Sequence, residues 1–307
     1  MQYSFLLILV MVAMGMGSCE KSTLATCPTS CSNDNLQHIK RVLLVGIDGC
    51  RSDAVQKAAT PHLDQLIQNG RYSWEVDCDR ADAWAAVGWS SLLTGVWANK
   101  HGVYDDFYGS KNYEQYPHFL CRIKNYNSCF RTASIVHYSD LNDEIAAPCN
   151  SDVLLDYDED KKVREATKNY IDDCNLDVLF VNFDDVDHAG HLKGFHPDIP
   201  HYINAIEQVD AHLGVILEAI YQREANKNED WLIIVSSNHG GEKDGTHLNA
   251  SHPDVGHVLG LFRKRNMTHR GLMPVAPSLV DIVPTILDHL SVPVDTTWGL
   301  DGRSLNL

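Results

Sequence analysis

Three short apolar runs, none broken by proline, punctuate the chain: Val42-Leu43-Leu44-Val45-Gly46-Ile47, residues 176–183 around Val178-Leu179-Phe180-Val181, and Trp231-Leu232-Ile233-Ile234-Val235. Rich in β-branched and aliphatic side chains, they predict buried strands of a largely parallel sheet. Elsewhere the pattern takes the helical period. Pro61 near the start and Gly70 at the end of residues 60–70 mark a short helix. Further on, Tyr202, Ile206, Val209, Leu213, Ile216 and Ile220 recur at steps of four and three, the stripe of a long amphipathic helix laid over the sheet. The fold class is therefore α/β.

Each apolar run opens onto groups that bind cations. The first leads into Asp48-Gly49, the second into Asp184-Asp185-Val186-Asp187-His188-Ala189-Gly190-His191, and the third into Ser236-Ser237-Asn238-His239-Gly240-Gly241. In open α/β sheets ligands bind at the carboxyl ends of strands, so three such clusters converge on one crevice. Taken singly, each has a plainer reading. Asp48 could cap a helix, Asp187 and His191 could share a solvated helix face four residues apart, and Asn238 to Gly241 could be a turn. With His247 following a glycine-rich connection, the set as a whole fits a metal centre better than four separate accidents.

In order and spacing these motifs resemble the alkaline phosphatase superfamily, specifically its type I phosphodiesterase and nucleotide pyrophosphatase branch. The likeness runs from about Arg41 to the end of the chain. It includes Val45-Gly46-Ile47-Asp48-Gly49, residues 88–97 from Gly88-Trp89-Ser90-Ser91 to Val96-Trp97, Lys100-His101-Gly102-Val103, Asp187 to His191, and Asn238-His239-Gly240-Gly241. Pro277 to Thr285 and Leu300 to Leu305 look like the superfamily's C-terminal helix and hairpin. The resemblance implies a three-layer sandwich with a largely parallel central sheet flanked by helices. It also implies two zinc ions a few ångströms apart, where Asp187, His191 and His247 would hold one and Asp48, Asn238 and His239 would face the other. Paired cations suit phosphate esters, because one can polarise a phosphoryl oxygen while the other stabilises the leaving oxygen. His101 would support the helix behind the nucleophile loop.

Two departures fall inside that site. The family's nucleophilic Ser or Thr aligns with Ala85, and Ala83 offers no hydroxyl two residues away. Loss of a covalent nucleophile typically costs on the order of 10⁶-fold in turnover, about 8 kcal/mol. The family's aspartate aligns with Asn238, and a neutral amide is a weaker zinc partner than a carboxylate, so the second zinc position is weakened. Gly88 stands where many nucleotide pyrophosphatases carry asparagine. Ser90, Ser91 and Thr94 are expected to begin the next helix and point into packing or solvent. Residue chemistry therefore favours a pseudoenzyme with a binding or structural role over the alternative, an active zinc phosphodiesterase or phosphatase.

The 307 residues, 44% of them hydrophobic, suffice for one large domain over 41–307 with no linker, charge block or repeat dividing it. Residues 1–19 read as a secretory signal peptide: Phe5 to Val12 is apolar but short for a bilayer, and Gly15, Gly17 and Ser18 follow. A lipoprotein signal at Cys19 is the rival, to which Met16-Gly17-Ser18 is a poor match. Residues 20–40 form a cysteine-containing N-terminal segment. Cleavage after Cys19 leaves eight of nine cysteines, an even set suited to disulfides but with on the order of a hundred pairings. Asn249-Ala250-Ser251 and Asn266-Met267-Thr268 match glycosylation acceptors. No apolar C-terminal tail is visible, so a secreted, extracellular protein without a membrane anchor is expected. A formal net charge of −16, from 41 acidic against 25 basic residues, argues against a nucleic-acid polymer as partner. A phosphoester or other small-molecule ligand, or the extracellular matrix, remains as the expected partner.

Overall fold

The three apolar runs lie side by side at the centre of a single sheet. The computed structural model describes residues 39–78, 84–249 and 252–307. The expected signal peptide, residues 20–38, Ala83, and Ala250 and Ser251 of the first acceptor triplet lie outside the described residues. The strands are β1 (Ile39–Ile47), β2 (Arg71–Ser73), β3 (Thr132–Val136), β4 (Val153–Asp156), β5 (Val178–Phe183), β6 (Glu229–Ser236), β7 (Gly260–Arg263) and β8 (Gly271–Leu272), in the order β4-β3-β5-β1-β6-β7-β2-β8. From β4 to β6 every pairing is parallel, and only β7 runs antiparallel to its neighbours.

Alternation along β1 sorts the core into two layers. Leu43, Val45 and Ile47 face one side, packed with side chains of helices Pro61–Asn69, Asp160–Asp173 and Pro200–Lys227. Val42 and Leu44 face the other, with helices Ala85–Thr94, Phe119–Tyr126 and Ile282–His289. Both faces of the sheet are covered, which is why its strands read as near-continuous apolar runs. The chain forms the three-layer α/β sandwich expected, and the stripe from Tyr202 to Ile220 is buried as the helical period requires.

Some expectations are corrected in detail. Residues 300–305 form no hairpin; Arg303 and Leu305 donate their backbone N–H groups to the Asp281 carboxylate and the Thr285 hydroxyl, tying the segment to helix Ile282–His289 by side chains instead. Ser90, Ser91 and Thr94 do not begin the helix but sit in its second half, fully buried. Among the cysteines, Cys121 and Cys149 are bonded to each other, and Cys129 and Cys174 are also in disulfides. Cys50 is buried outside any disulfide, so the even set is not wholly paired. Among the described residues no helix is long and apolar enough to cross a membrane.

Candidate metal centre

The parallel strands deliver their ligands to one edge. Asp48 follows β1, helix Asp185–Lys193 starts two residues after β5 and carries Asp187 and His191, and Asn238 and His239 follow β6. The Asp187, His191 and His247 ligand atoms lie within 4.8 Å of one another, and so do those of Asp48, Asp187 and His239. Asp187 thus belongs to both groups. Its Oδ2 is 3.3 Å from His191 Nε2 and its Oδ1 is 4.0 Å from His239 Nε2, which in turn is 3.3 Å from Asp48 Oδ1. The His247 ring stacks on His239 with centroids 4.1 Å apart.

Neighbouring groups fix how these side chains point. His191 Nδ1 lies 2.9 Å from the Gly245 carbonyl and His239 Nδ1 lies 2.7 Å from the Gly240 carbonyl. A carbonyl can only accept, so each Nδ1 carries the proton and each Nε2 lone pair is left for a cation. The Trp89 indole donates to Asp48 Oδ2 at 2.7 Å. Trp89 reaches that position because Gly46 has no side chain; a Cβ there would lie 2.2 Å from the ring. Gly49, at φ +61, lets the backbone pass Asp187, where a Cβ would lie 2.7 Å from Oδ1. The buried Arg51 guanidinium then ties the surrounding loops together, donating to the Phe195 and Gly241 carbonyls and the Asp254 carboxylate.

Asp48 Oδ1, Asp187 Oδ1 and His239 Nε2 are all buried without a hydrogen-bond partner. Three acceptors facing one another in this way are costly unless a cation joins them, so the residues present fit a divalent metal. Burial, then the charges of Asp48, Asp184 and Asp106, pushes the Asp187 carboxyl up to about 9. Burial also raises Asp48, opposed by the Trp89 hydrogen bond and the neighbouring Asn238 amide, and lowers His239 to about 4, leaving it neutral and ligand-competent. A metal held by Asp187, His191 and His247, or by Asp48, Asp187 and His239, would supply Lewis-acid polarisation of a phosphoryl oxygen.

The side where a nucleophile would stand is built differently. Ala85 is the first residue of helix Ala85–Thr94 and presents only a methyl group. The next backbone N–H, that of Ala86, is taken by Asp106 Oδ1 at 3.0 Å. The Asn238 carboxamide accepts from the Gly49 N–H at 3.3 Å and donates to the Ala85 carbonyl at 3.4 Å. Gly88 packs on the Asn238 backbone, whose carbonyl oxygen would lie 2.6 Å from an added Cβ. No hydroxyl of the helix is available as a substitute: Ser90 bonds the Ala86 carbonyl and Tyr113, Ser91 bonds His101, and Thr94 bonds the Ser90 carbonyl. His101 supports the helix through that contact. Asn249 and Asn266 are exposed.

Two contributors escaped sequence reasoning. Asp106 sits in a loop without periodicity, and only tertiary structure brings it to the helix start. Trp89 reads as core, which it is, but its indole N–H also holds the Asp48 carboxylate.

A family model described as the metalloenzyme superfamily matches residues 7–294, and the chain belongs to this alkaline-phosphatase-like superfamily. Among curated relatives, GPI ethanolamine phosphate transferase 3 of Schizosaccharomyces pombe is 28% identical over 167 residues, covering 53% of this chain and 17% of its own. GPI ethanolamine phosphate transferase 2 of Candida albicans is 25% identical over 306 residues, covering 92% of this chain and 33% of its own. The chain thus spans a third or less of the length of these relatives. Among solved structures, inactive murine ectonucleotide pyrophosphatase/phosphodiesterase 5 in complex with AMP superposes with a TM-score of 0.58 at 15% identity, over 83% of this chain and 96% of that one.

Proposed function

We propose that this chain is a divalent-metal protein that recognises a phosphoester through the superfamily site without turning it over by covalent catalysis, and that it serves a binding role outside the cell. The observation that carries this reading is Ala85 at the first turn of its helix, beside candidate metal ligands of which His191 and His239 are oriented by backbone carbonyls and Asp48 by Trp89. Ser90, Ser91 and Thr94, each engaged within the core, support it further. Zinc is the proposed metal, since histidine and carboxylate are its usual ligands. The names of the curated relatives, which transfer ethanolamine phosphate, support a phosphoester as the ligand class. The Cys121–Cys149 disulfide and the exposed acceptor residues Asn249 and Asn266 support an oxidising, secreted setting.

The test is binding set against turnover. Zinc-loaded protein should bind orthovanadate or a phosphonate diester in calorimetry and lose that binding on chelation. It should hydrolyse bis(p-nitrophenyl) phosphate no faster than zinc with buffer. Turnover at ordinary enzyme rates, roughly 1 s⁻¹ or more, would overturn the proposal.

A further inference from the structure

A second cluster of metal-binding side chains stands one strand further along the same sheet edge. His137 directly follows β3, Asp184 directly follows β5, and His188 lies one helical turn beyond Asp184. The candidate ligand atoms of these three residues lie within 4.8 Å of one another. His188 Nε2 is 3.1 Å from Asp184 Oδ2, and the two imidazoles meet edge to face with centroids 5.3 Å apart. None of the three belongs to the groups around Asp187.

This cluster has the support expected of a built site. Behind His137 lies Asp160, which is fully buried. Its carboxylate is 2.7 Å from His137 Nδ1 and also accepts the backbone N–H groups of Asp184 and Asp185 at 2.9 and 3.2 Å. A carboxylate behind one imidazole nitrogen orients the ring and makes the other nitrogen a better ligand, the arrangement that recurs behind metal-bound histidines. The same carboxylate fixes the backbone that carries Asp184, so one buried group positions two of the three ligands. The Asp48 charge, after burial, helps raise the Asp184 carboxyl to about 8, so the cluster adjoins the primary centre through this carboxyl pair.

We propose that His137, Asp184 and His188 form a further divalent-cation site, with Asp160 as its positioning residue. Two imidazoles and one carboxylate match zinc, or another first-row ion that favours nitrogen, and leave a coordination position for water or an anionic oxygen. The exposed His188 puts that position within reach of solvent. The competing occupant is a proton on His137, which would make the ring a counter-ion to Asp160, Asp184 and Asp185 and need no metal. This inference does not depend on whether the chain hydrolyses anything.

Metal counting decides between the two. Protein stripped with chelator and reloaded with Zn²⁺ should lose one equivalent when His188 is changed to Ala, measured by plasma mass spectrometry after dialysis. His188→Gln serves as a second variant, and both should keep the wild-type melting temperature when metal-free because the side chain is largely solvent-facing. Asp160→Asn should weaken the same equivalent on the order of 10–100-fold. In zinc-soaked crystals an anomalous peak should lie between His137 and His188. If both His188 variants retain the wild-type zinc count, or if no peak appears there while Asp187 and His191 hold zinc, the site does not exist and the proton reading stands.

Discussion

The two sides of the metal crevice are held together by different means. Asp187, His191 and His247 form a complete set of one carboxylate and two imidazoles. His191 is locked by a backbone carbonyl, and Asp187 stands where only glycine fits opposite. On the other side Asp48 and His239 are more deeply buried than Asp187 and the exposed His191 and are likewise oriented, yet the third place is taken by an amide bonded to backbone and the helix start by a methyl group. The comparison separates two properties that occupy the same few ångströms. Metal binding needs deprotonated ligands at fixed angles, which strand ends and carbonyls supply. Covalent chemistry through a side-chain hydroxyl needs one further oxygen, which Ala85 at the helix start does not present.

The largest expected effect falls on the residue common to both sides. Asp187→Asn should reduce zinc affinity at both positions by more than the roughly 100-fold that loss of an outer partner costs; if one equivalent survives dialysis unchanged, the two sides do not share a ligand. A middle-sized effect appears as pH dependence. In the metal-free protein the Asp187 carboxyl is raised to about 9 and Asp184, by burial and Asp48, to about 8, whereas an unfolded aspartate titrates near about 3.9. The folded state then holds protons that the unfolded chain has released. Stability should therefore fall as pH rises from about 4 through about 9, and zinc, by displacing those protons, should flatten the slope. Thermal melts in chelator and in zinc across that range test the sign. The smallest effect belongs to the altered side. Asp106→Ala removes the carboxylate that caps the Ala86 N–H and should cost about 1 kcal/mol in chemical denaturation, leaving the zinc count unchanged.

Sequence alone revealed the sheet, because strands buried on both faces must be apolar throughout, and it singled out Asp48, Asp187, His191, His239 and His247, which the structure brings together because a parallel sheet collects its strand ends. It missed contributors whose placement is purely tertiary. His137 follows a strand, Thr132–Val136, whose threonine, alanine and serine make a weak apolar signal. Asp106 is carried in by a loop. Asp187 as the shared ligand was also hidden, since spacing assigns a carboxylate to a helix face but not each of its two oxygens to a neighbour. The Cys129 and Cys174 disulfides could not be foreseen for the same reason.

In the proposed reading, the crevice lacks a nucleophile and one ligand but is otherwise organised for phosphoester chemistry. The most direct measurement is the zinc-dependent hydrolysis of bis(p-nitrophenyl) phosphate by the double variant Ala85→Ser with Asn238→Asp, beside the wild type and each single variant. A rise of several orders of magnitude is expected, toward the ~10⁶-fold that such a nucleophile is worth. Each single change should recover much less, because nucleophile and metal act as a unit. A double variant that folds, retains zinc and stays at background would mean that the crevice is not organised for phosphoester chemistry.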